Sequence, residues 1–251
     1  MPILVELNSL EENIKLFQKL NLDFIELNLD IPYCFLENIE TSLLDSNTFT
    51  IHLSEKIDVG ELNYNLRKFY LKEIERIIAF GTKHNIFKYN IHLDPGIHFS
   101  LPDKKIFIYE KYLDDYLKAY KDSCDTLSKI ANEYNATILF ENVKIESYTL
   151  KAIEIISNYN NLFFTLDLGH NIRYDNIAKK QFLKYENKIK HIHLHDFNGS
   201  KDHQELFTGL LNIKEELEFC DKHNLDVLIE VKREEELINS VNKLKNFGFI
   251  K

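Results

Sequence analysis

The sequence has few cysteines and no long apolar run, and each absence narrows the class of protein. Its three cysteines, Cys34, Cys124 and Cys220, are odd in number and far apart, which argues against a disulfide framework and favours a reducing compartment. No apolar run is long enough to cross a bilayer, and the first ten residues lack the basic start and cleavage site of a signal peptide. We therefore expect a cytoplasmic protein with no membrane contact.

The chain also lacks excess positive charge and any Gly/Pro/Ser-rich linker. Its 251 residues carry a formal net charge of −9, which repels polyanions and speaks against non-specific nucleic-acid binding. Only a locally positive site, such as one that holds metals, would overturn this expectation. Because no linker divides the chain, the sequence predicts one domain over residues 1–251.

What the sequence does contain is a repeated alternation of short apolar runs and longer amphipathic segments. The amphipathic segments place apolar residues at i, i+3, i+4 and i+7, the helical period, whereas the short runs are rich in Ile, Phe and Leu. The predicted strands cover residues 2–7, 23–29, 48–54, 87–93, 136–142, 162–168, 190–196 and 226–232. The predicted helices include residues 10–20, 67–84, 112–134, 149–159 and 213–223, with a weaker candidate at 34–45.

Eight strand candidates with intervening helices predict an α/β fold, a single (β/α)8 TIM barrel. Strands that are apolar throughout are typical of a parallel sheet covered on both faces, and eight βα units in about 250 residues match the size of such a barrel. A doubly wound open sheet is the alternative, but no GxGxxG or GxxxxGK[ST] motif follows any strand. Two connections are long, Leu93–Lys111 and Asp196–Leu211.

Histidines and carboxylates recur where the predicted strands end. In a βα barrel these ends meet at one face, so residues far apart in sequence converge on one pocket. Several carboxylates facing one another without a cation would cost several kcal/mol, which a divalent metal removes. Mixed nitrogen and oxygen ligands suit zinc, manganese, cobalt or iron, and an oxygen-rich part would also take magnesium. The residues are His52, His92, Glu141, Asp167, His170, His193 and Glu230.

Other histidines have simpler interpretations. His84 and His223 each stand in a Lys-His-Asn sequence where a helix ends, which is typical of a C-cap, and we expect no catalytic role for them. His191 points the same way as His193 but one layer deeper, which favours a core position. His195 shares that face at the rim, where it could contact substrate or water.

The segments IHLS, IHLDPG, FENV, LDLGH, HLHD and LIEV, in this order, resemble the xylose isomerase-like TIM barrels. That superfamily contains sugar phosphate isomerases and epimerases as well as endonuclease IV-type apurinic endonucleases. The resemblance runs from about the second predicted strand to the eighth. Each motif is short, but the ordered set with barrel spacing is specific.

The resemblance implies that Glu141, Asp167, His193 and Glu230 are the metal ligands common to both branches. His170 matches a substrate-side histidine of the epimerases and a ligand of a further zinc in the endonucleases. His52 and His92 match two histidines that hold another zinc in the endonucleases, and His203 matches the His of an Asp-x-His motif. The chain departs there, because Lys201 occupies the Asp position and the acid stands at Asp202, which puts a three-metal site in doubt.

Two functions follow from the resemblance. The first is isomerisation or epimerisation of a small sugar or sugar phosphate through an enediolate, with Glu141 and Glu230 as the acid/base pair and His170 also catalytic. Arg173, His195 and Lys201 would contact substrate. The alternative is zinc-dependent phosphodiester hydrolysis at abasic DNA sites. One to three ions of zinc, manganese or cobalt are expected.

Less specific expectations remain beside these two. A metal-binding barrel with another chemistry, such as a lyase or dehydratase, is the third hypothesis, because fold does not dictate reaction. The partner is expected to be a small sugar or sugar phosphate, with nucleic acid disfavoured by charge. A homodimer is compatible with the resemblance, since barrels of this kind commonly pair.

Overall fold

A computed structural model describes residues 1–250. It contains nine strands: β1 (Ile25–Asn28), β2 (Phe49–His52), β3 (Lys88–His92), β4 (His98–Ser100), β5 (Lys105–Phe107), β6 (Thr137–Glu141), β7 (Leu162–Asp167), β8 (Ile189–Leu194) and β9 (Asp226–Ile229). The α-helices are α1 (Leu10–Leu20), α2 (Thr41–Leu44), α3 (Tyr64–Lys83), α4 (Ile108–Lys111), α5 (Leu113–Glu133), α6 (Ser147–Ser157), α7 (Leu168–Arg173), α8 (Ile177–Phe182), α9 (Ile213–Lys222) and α10 (Glu234–Asn246). Two 3-10 helices cover Pro32–Cys34 and Leu183–Lys188.

Seven of the strands form one parallel sheet that curves into a nearly closed barrel. The strand order is β1-β2-β3-β6-β7-β8-β9, and helices connect most neighbours. The strands are buried, as expected for a sheet covered by helices outside and by side chains inside. The prediction of an α/β TIM barrel is therefore confirmed.

The first predicted strand, residues 2–7, is reduced to a single parallel bridge between Pro2 and Glu26. Ile3 still donates its N–H to the Glu26 carbonyl at 3.1 Å, but the chain then turns away. Leu4 donates instead to the Asn13 side chain at 2.7 Å, inside the first helix. The chain thus leaves the sheet edge after Ile3 and enters the turn before the first helix.

Each long connection has its own internal structure. Residues 93–111 contain the antiparallel β4–β5 hairpin and α4. Residues 196–211 are organised around the Asp196 carboxylate, which accepts backbone N–H groups from four residues of the same loop. The donors are Phe197 at 2.9 Å, Thr208 at 3.1 Å, Gly209 at 2.8 Å and Leu211 at 3.0 Å. Such a loop is held in one conformation by a buried carboxylate.

The two Lys-His-Asn sequences lie at helix ends, as predicted. His84 is the C-cap of α3 and His223 the C-cap of α9. The following residues, Asn85 and Asn224, adopt left-handed φ angles of 60° and 50°. Within residues 1–250, no helix has the length and apolarity needed to cross a membrane.

Candidate metal centre

A cavity of about 350 Å³ opens at the carboxyl-terminal ends of the barrel strands. This volume is at the small end of the range for ligand pockets and suits a small polar molecule. Its wall is rich in acids and imidazoles, with Arg173 and Lys232 as its cations. The lining residues are Asn28, His52, Glu55, His92, Asp94, Pro95, Glu141, Val143, His170, Arg173, Tyr174, His203, Glu230 and Lys232.

Four strand-end residues converge at the base of this cavity. One ligand-type atom from each of Glu141, Asp167, His193 and Glu230 lies within 4.8 Å of the others. The His193 Nδ1 atom is 3.2 Å from a carboxylate oxygen of Glu141 and 3.2 Å from one of Glu230. The residues come from β6, β7, β8 and the end of β9, so the parallel register of the barrel brings them together.

The unsatisfied atoms of this cluster fit a cation. Both ring nitrogens of His193 and one carboxylate oxygen of Glu230 are buried, yet none has an aligned hydrogen bond to any residue from 1 to 250. Buried polar atoms are normally paired, because an unpaired one costs about 1–3 kcal/mol. Three carboxylates and one imidazole are a ligand set that zinc, manganese and cobalt accept. The four residues therefore fit a divalent metal ion.

A second set of ligand-type atoms adjoins the first. His52, His92 and Glu141 each offer an atom within 4.8 Å of the others, so Glu141 belongs to both sets. The His52 Nδ1 atom lies 2.8 Å from the Leu53 carbonyl oxygen, a hydrogen bond that turns Nε2 towards Glu141. That Nε2 atom is 3.2 Å from Glu141 and 3.1 Å from the His92 ring. This geometry is compatible with a second cation.

The charges around Glu141 keep this carboxylate ionised. Burial opposes ionisation of Glu141, but the charges of His193 and His92 outweigh it and hold the pKa of this carboxyl well below its usual range. Burial likewise opposes a charged His52, yet the hydrogen bond and charge of Glu141 raise the pKa of this imidazole to about 9. A divalent cation would replace these imidazolium protons, since metal ligands bind in deprotonated form.

Buried outer residues hold the ligands in place. Asn90 donates its amide N–H to Glu141 and in turn accepts a 2.7 Å hydrogen bond from the Thr165 hydroxyl. His195 lies 3.1 Å from the Asp167 carboxylate through Nε2. Such partners orient metal ligands and are as much part of a metal site as the ligands themselves.

Residues 49–247 match the family described as xylose isomerase-like TIM barrel. The chain belongs to this family. The match covers every sheet strand except β1 and all of the ligand-type residues described above.

Relatives of this xylose isomerase-like barrel extend over nearly the whole chain. The uncharacterized protein MJ1614 of Methanocaldococcus jannaschii is 29% identical over 234 residues, which are 90% of this chain and 84% of that protein. A D-tagatose 3-epimerase-like protein superposes with a TM-score of 0.77 at 20% identity, covering 96% of this chain and 93% of its own. The IOLI protein with a bound zinc atom gives 0.71 at 18% identity, covering 95% and 92%. At these identities the structural matches establish the fold.

In this xylose isomerase-like barrel, the loop after β8 brings His203 next to Glu230 of the candidate metal centre. His203 has a left-handed φ of 54°, and its backbone N–H donates to His195 Nδ1 at 2.8 Å. Its ring stacks on His195 at 4.1 Å, and its Nε2 atom lies 3.4 Å from Glu230. Lys201 occupies the Asp position of the Asp-x-His motif, and the adjacent acid, Asp202, contacts His203 Nδ1 at 3.2 Å.

The remaining predicted residues occupy different positions. His170 lines the cavity with Nδ1 3.3 Å from Asp167, and Arg173 lines it while paired with Asp202. His195 is fully buried with both ring nitrogens engaged, so it lies beneath the cavity wall. Lys201 is exposed on the loop and is not among the described residues that line the cavity. Substrate contacts by these residues stay predictions.

Sequence reasoning missed Glu26, Asn90 and Lys232. Glu26 and Asn90 are buried inside the barrel at 4% and 1% exposure. A signal for them does exist, because each stands two positions before another polar residue, Asn28 or His92, on the inward face set by the two-residue strand period. Lys232 follows Glu230 by two residues and lies 3.4 Å from its carboxylate. The same period places both side chains towards the cavity.

Proposed function

We propose that this protein is a divalent-metal-dependent isomerase or epimerase of a small sugar or sugar phosphate. The observation that carries the proposal is the convergence of Glu141, Asp167, His193 and Glu230 at the base of a small polar cavity. Two carboxylates beside a bound cation are the groups that proton transfer next to a carbonyl requires.

Two of the structural relatives support this assignment. One bears the description D-tagatose 3-epimerase-like protein, and another, the IOLI protein, binds a zinc atom. Both superpose on more than nine tenths of this chain. They make sugar epimerisation and divalent metal binding the first chemistry to test.

A divalent cation held by the four ligands would polarise a carbonyl and offset the negative charge that develops on its oxygen. Glu141 and Glu230 supply the proton transfers. One carboxylate begins ionised and removes the proton from the carbon next to the carbonyl, while the electron pair moves onto the carbonyl oxygen to give an enediolate. The other carboxylate takes up a proton from solvent in the cavity and passes it to carbon, while the first releases its proton to solvent.

Residues around the acid/base pair would orient the substrate. His170 and Arg173 line the cavity on the β7 side, whereas Lys232 and His203 lie beside Glu230. The histidine rings and the charged groups of Arg173 and Lys232 can donate hydrogen bonds to substrate hydroxyl or phosphate oxygens. The small cavity limits the substrate to about the size of one sugar unit.

Solvent isotope exchange tests the proposal directly. The metal-loaded protein is incubated in deuterium oxide with a panel of ketoses and ketose phosphates, and recovered sugars are examined by NMR. We expect deuterium on the carbon next to the carbonyl for at least one sugar, with the epimer or isomer as product. Absence of exchange across the panel, with cobalt, manganese and zinc each loaded, would exclude the proposed reaction.

A second candidate, phosphodiester hydrolysis at abasic DNA sites, is favoured by one observation. His52 and His92 form a further ligand set with Glu141, and several cations at one site suit phosphate cleavage. Elemental analysis of protein purified without chelator separates the two candidates. Two or three tightly held zinc ions together with cleavage of an abasic oligonucleotide would support the nuclease, and one exchangeable cation without cleavage would exclude it.

A further inference from the structure

The His193 ring lies between two groups of carboxylates. On one side its Nδ1 atom is 3.2 Å from both Glu141 and Glu230, the proposed ligands. On the other side its Nε2 atom is 3.2 Å from Glu26 Oε1. The ring is fully buried, so no solvent molecule competes for these contacts at its surface. Acceptors therefore face both nitrogens of a ring that carries one proton when neutral.

Glu26 is built into the barrel interior. It stands on β1, is 4% exposed, and accepts a 3.1 Å hydrogen bond at Oε2 from the Thr50 hydroxyl on β2. The same Oε2 atom is 3.9 Å from the His191 ring. A buried carboxylate needs more than one hydroxyl as a donor, since its desolvation is costly. The His193 Nε2 atom is a further donor within reach of Glu26, at 3.2 Å from Oε1 but without hydrogen-bond alignment.

The position of the ring proton decides whether His193 can bind a cation. Coordination through Nδ1 requires a lone pair there, which places the proton on Nε2. Glu141 and Glu230 face Nδ1 and by themselves favour a proton on that atom, which would block coordination. Glu26 is the group that favours the opposite tautomer, because it offers an acceptor on the Nε2 side.

We propose that Glu26 is a positioning residue of the metal centre, which holds the His193 proton on Nε2 and keeps Nδ1 open for the cation. This inference rests on the proposed metal centre but not on the reaction that the centre performs. Thr50 supports the same arrangement by fixing the second oxygen of Glu26. Outer-sphere carboxylates of this kind change metal affinity by about 10–100-fold when they are removed.

The experiment measures metal affinity and the His193 tautomer in Glu26→Gln and Glu26→Met. Cobalt binding is followed by calorimetry and by the visible spectrum, and 15N–1H correlations of the histidine rings in the zinc form report which nitrogen is protonated. We expect Glu26→Met to weaken cobalt binding about 10–100-fold and Glu26→Gln to weaken it less, because the amide oxygen still accepts a hydrogen bond.

Glu216→Gln is the matched control, because Glu216 is also buried but pairs with Lys179 on the outside of the barrel. Its cobalt affinity should equal that of the unmodified protein. If Glu26→Met does not fold, Thr50→Val and Glu26→Gln carry the test. Unchanged affinity and tautomer in the Glu26 variants would overturn the role of Glu26, whereas no cobalt binding by the unmodified protein would overturn the metal centre itself.

Discussion

At the scale of single residues, Gly169 shows how closely side chains pack around the proposed metal ligands. A Cβ atom added there would overlap the His195 ring, which contacts the proposed ligand Asp167. We expect Gly169→Ala to displace His195, to lower the free energy of unfolding by about 1–3 kcal/mol, and to weaken cobalt binding. Thermal unfolding and calorimetry with cobalt measure the two effects.

The control is Gly81→Ala, a close approach of the same kind away from the cavity. A Cβ at Gly81 would overlap the Tyr89 hydroxyl inside the sheet–helix layer. This variant should lose comparable stability and keep its cobalt affinity. Equal cobalt affinity in Gly169→Ala and the unmodified protein would contradict the link through His195.

Glu230→Gln tests the acid/base pair. The change keeps the size of the side chain but removes the carboxylate that borders both His193 and His203. We expect turnover of the responsive sugar to fall about 10²–10⁴-fold while the fold is retained, because acid–base catalysis contributes rate factors of that order. Turnover, metal content and circular dichroism are measured together. Glu154→Gln on the exposed face of α6 is the control, and full activity in Glu230→Gln would refute this assignment.

The sequence allowed the four proposed ligands to be chosen but not the residues beneath them. Glu141 and Asp167 end apolar strands, where a polar side chain is conspicuous. Asn90 and Thr165 stand two positions before a strand end, where sequence patterns alone indicate a packing role for a polar side chain. Their role depends on which strands are neighbours and on the register between them, and pattern reading does not supply either.

At the scale of structural elements, residues 93–111 form a segment, here called the flap, that borders the cavity through Asp94 and Pro95. Tyr109 stacks on Tyr116 of α5 at 4.4 Å and donates its hydroxyl to Asp58. Tyr148 of α6 donates to the Pro95 carbonyl at 2.6 Å. Beyond Leu93, whose N–H donates to the Glu141 carbonyl at 2.8 Å, these tyrosine hydroxyls attach the flap to the barrel.

Asp58 makes this attachment sensitive to pH. Burial, followed by the charge of Asp94, raises the pKa of Asp58 from 3.8 to about 7, although the hydrogen bond from Tyr109 opposes the shift. Between about pH 4 and 7 the folded state binds a proton that the unfolded state lacks, so stability falls as pH rises through this window. Ionised Asp58 therefore destabilises the protein above about pH 7.

Asp58→Asn should remove this dependence. Because Asn stays neutral, the variant should gain stability relative to the unmodified protein as pH rises from 5 to 8, within an upper bound of about 4 kcal/mol. Melting temperatures at several pH values measure the gain. Asp103→Asn at the exposed hairpin tip serves as control. A difference in melting temperature between Asp58→Asn and the unmodified protein that stays the same at every pH would refute the prediction.

His84→Ala concerns the end of α3. The His84 ring lies 3.1 Å from Asp45 and packs against Phe80, away from the cavity. Its removal should cost about 0.3–1 kcal/mol of stability, the usual contribution of a histidine at a helix C-terminus. Chemical denaturation measures this loss, and His223→Ala at the end of α9 should behave alike. Reduced turnover in either variant would show that these histidines are more than caps.

Long elements were the most predictable. The helices α1, α3 and α5 coincide with the predicted segments to within three residues at each end, because their amphipathic pattern spans several turns. The weak candidate at 34–45 instead contains only the end of a 3-10 helix and the four-residue helix α2. The β4–β5 hairpin was also not foreseen, because its pairing is local to a segment that reads as a loop.

At the scale of the whole molecule, the net charge of −9 predicts weak contact with nucleic acid. We expect no retardation of a duplex with one abasic site at about 10 µM protein and physiological salt, because non-specific binding needs many lysine and arginine contacts. A gel-shift titration at low and physiological salt measures this. Tight binding specific to the abasic duplex would instead favour the nuclease. Homodimer formation and the cytoplasmic location remain predictions.

The barrel has a seam, because among residues 1–250 β9 pairs with β8 alone and the amino-terminal segment contributes one bridge to β1. Edge backbone amides next to such a seam exchange with solvent by local opening. Glu230 follows this edge strand, whereas Glu141 ends β6 in the middle of the sheet. A cation bound by both Glu230 and Glu141 would link the edge strand β9 to the interior strand β6. Removal of the cation by a chelator should therefore accelerate amide exchange in β9 before it accelerates exchange in β6.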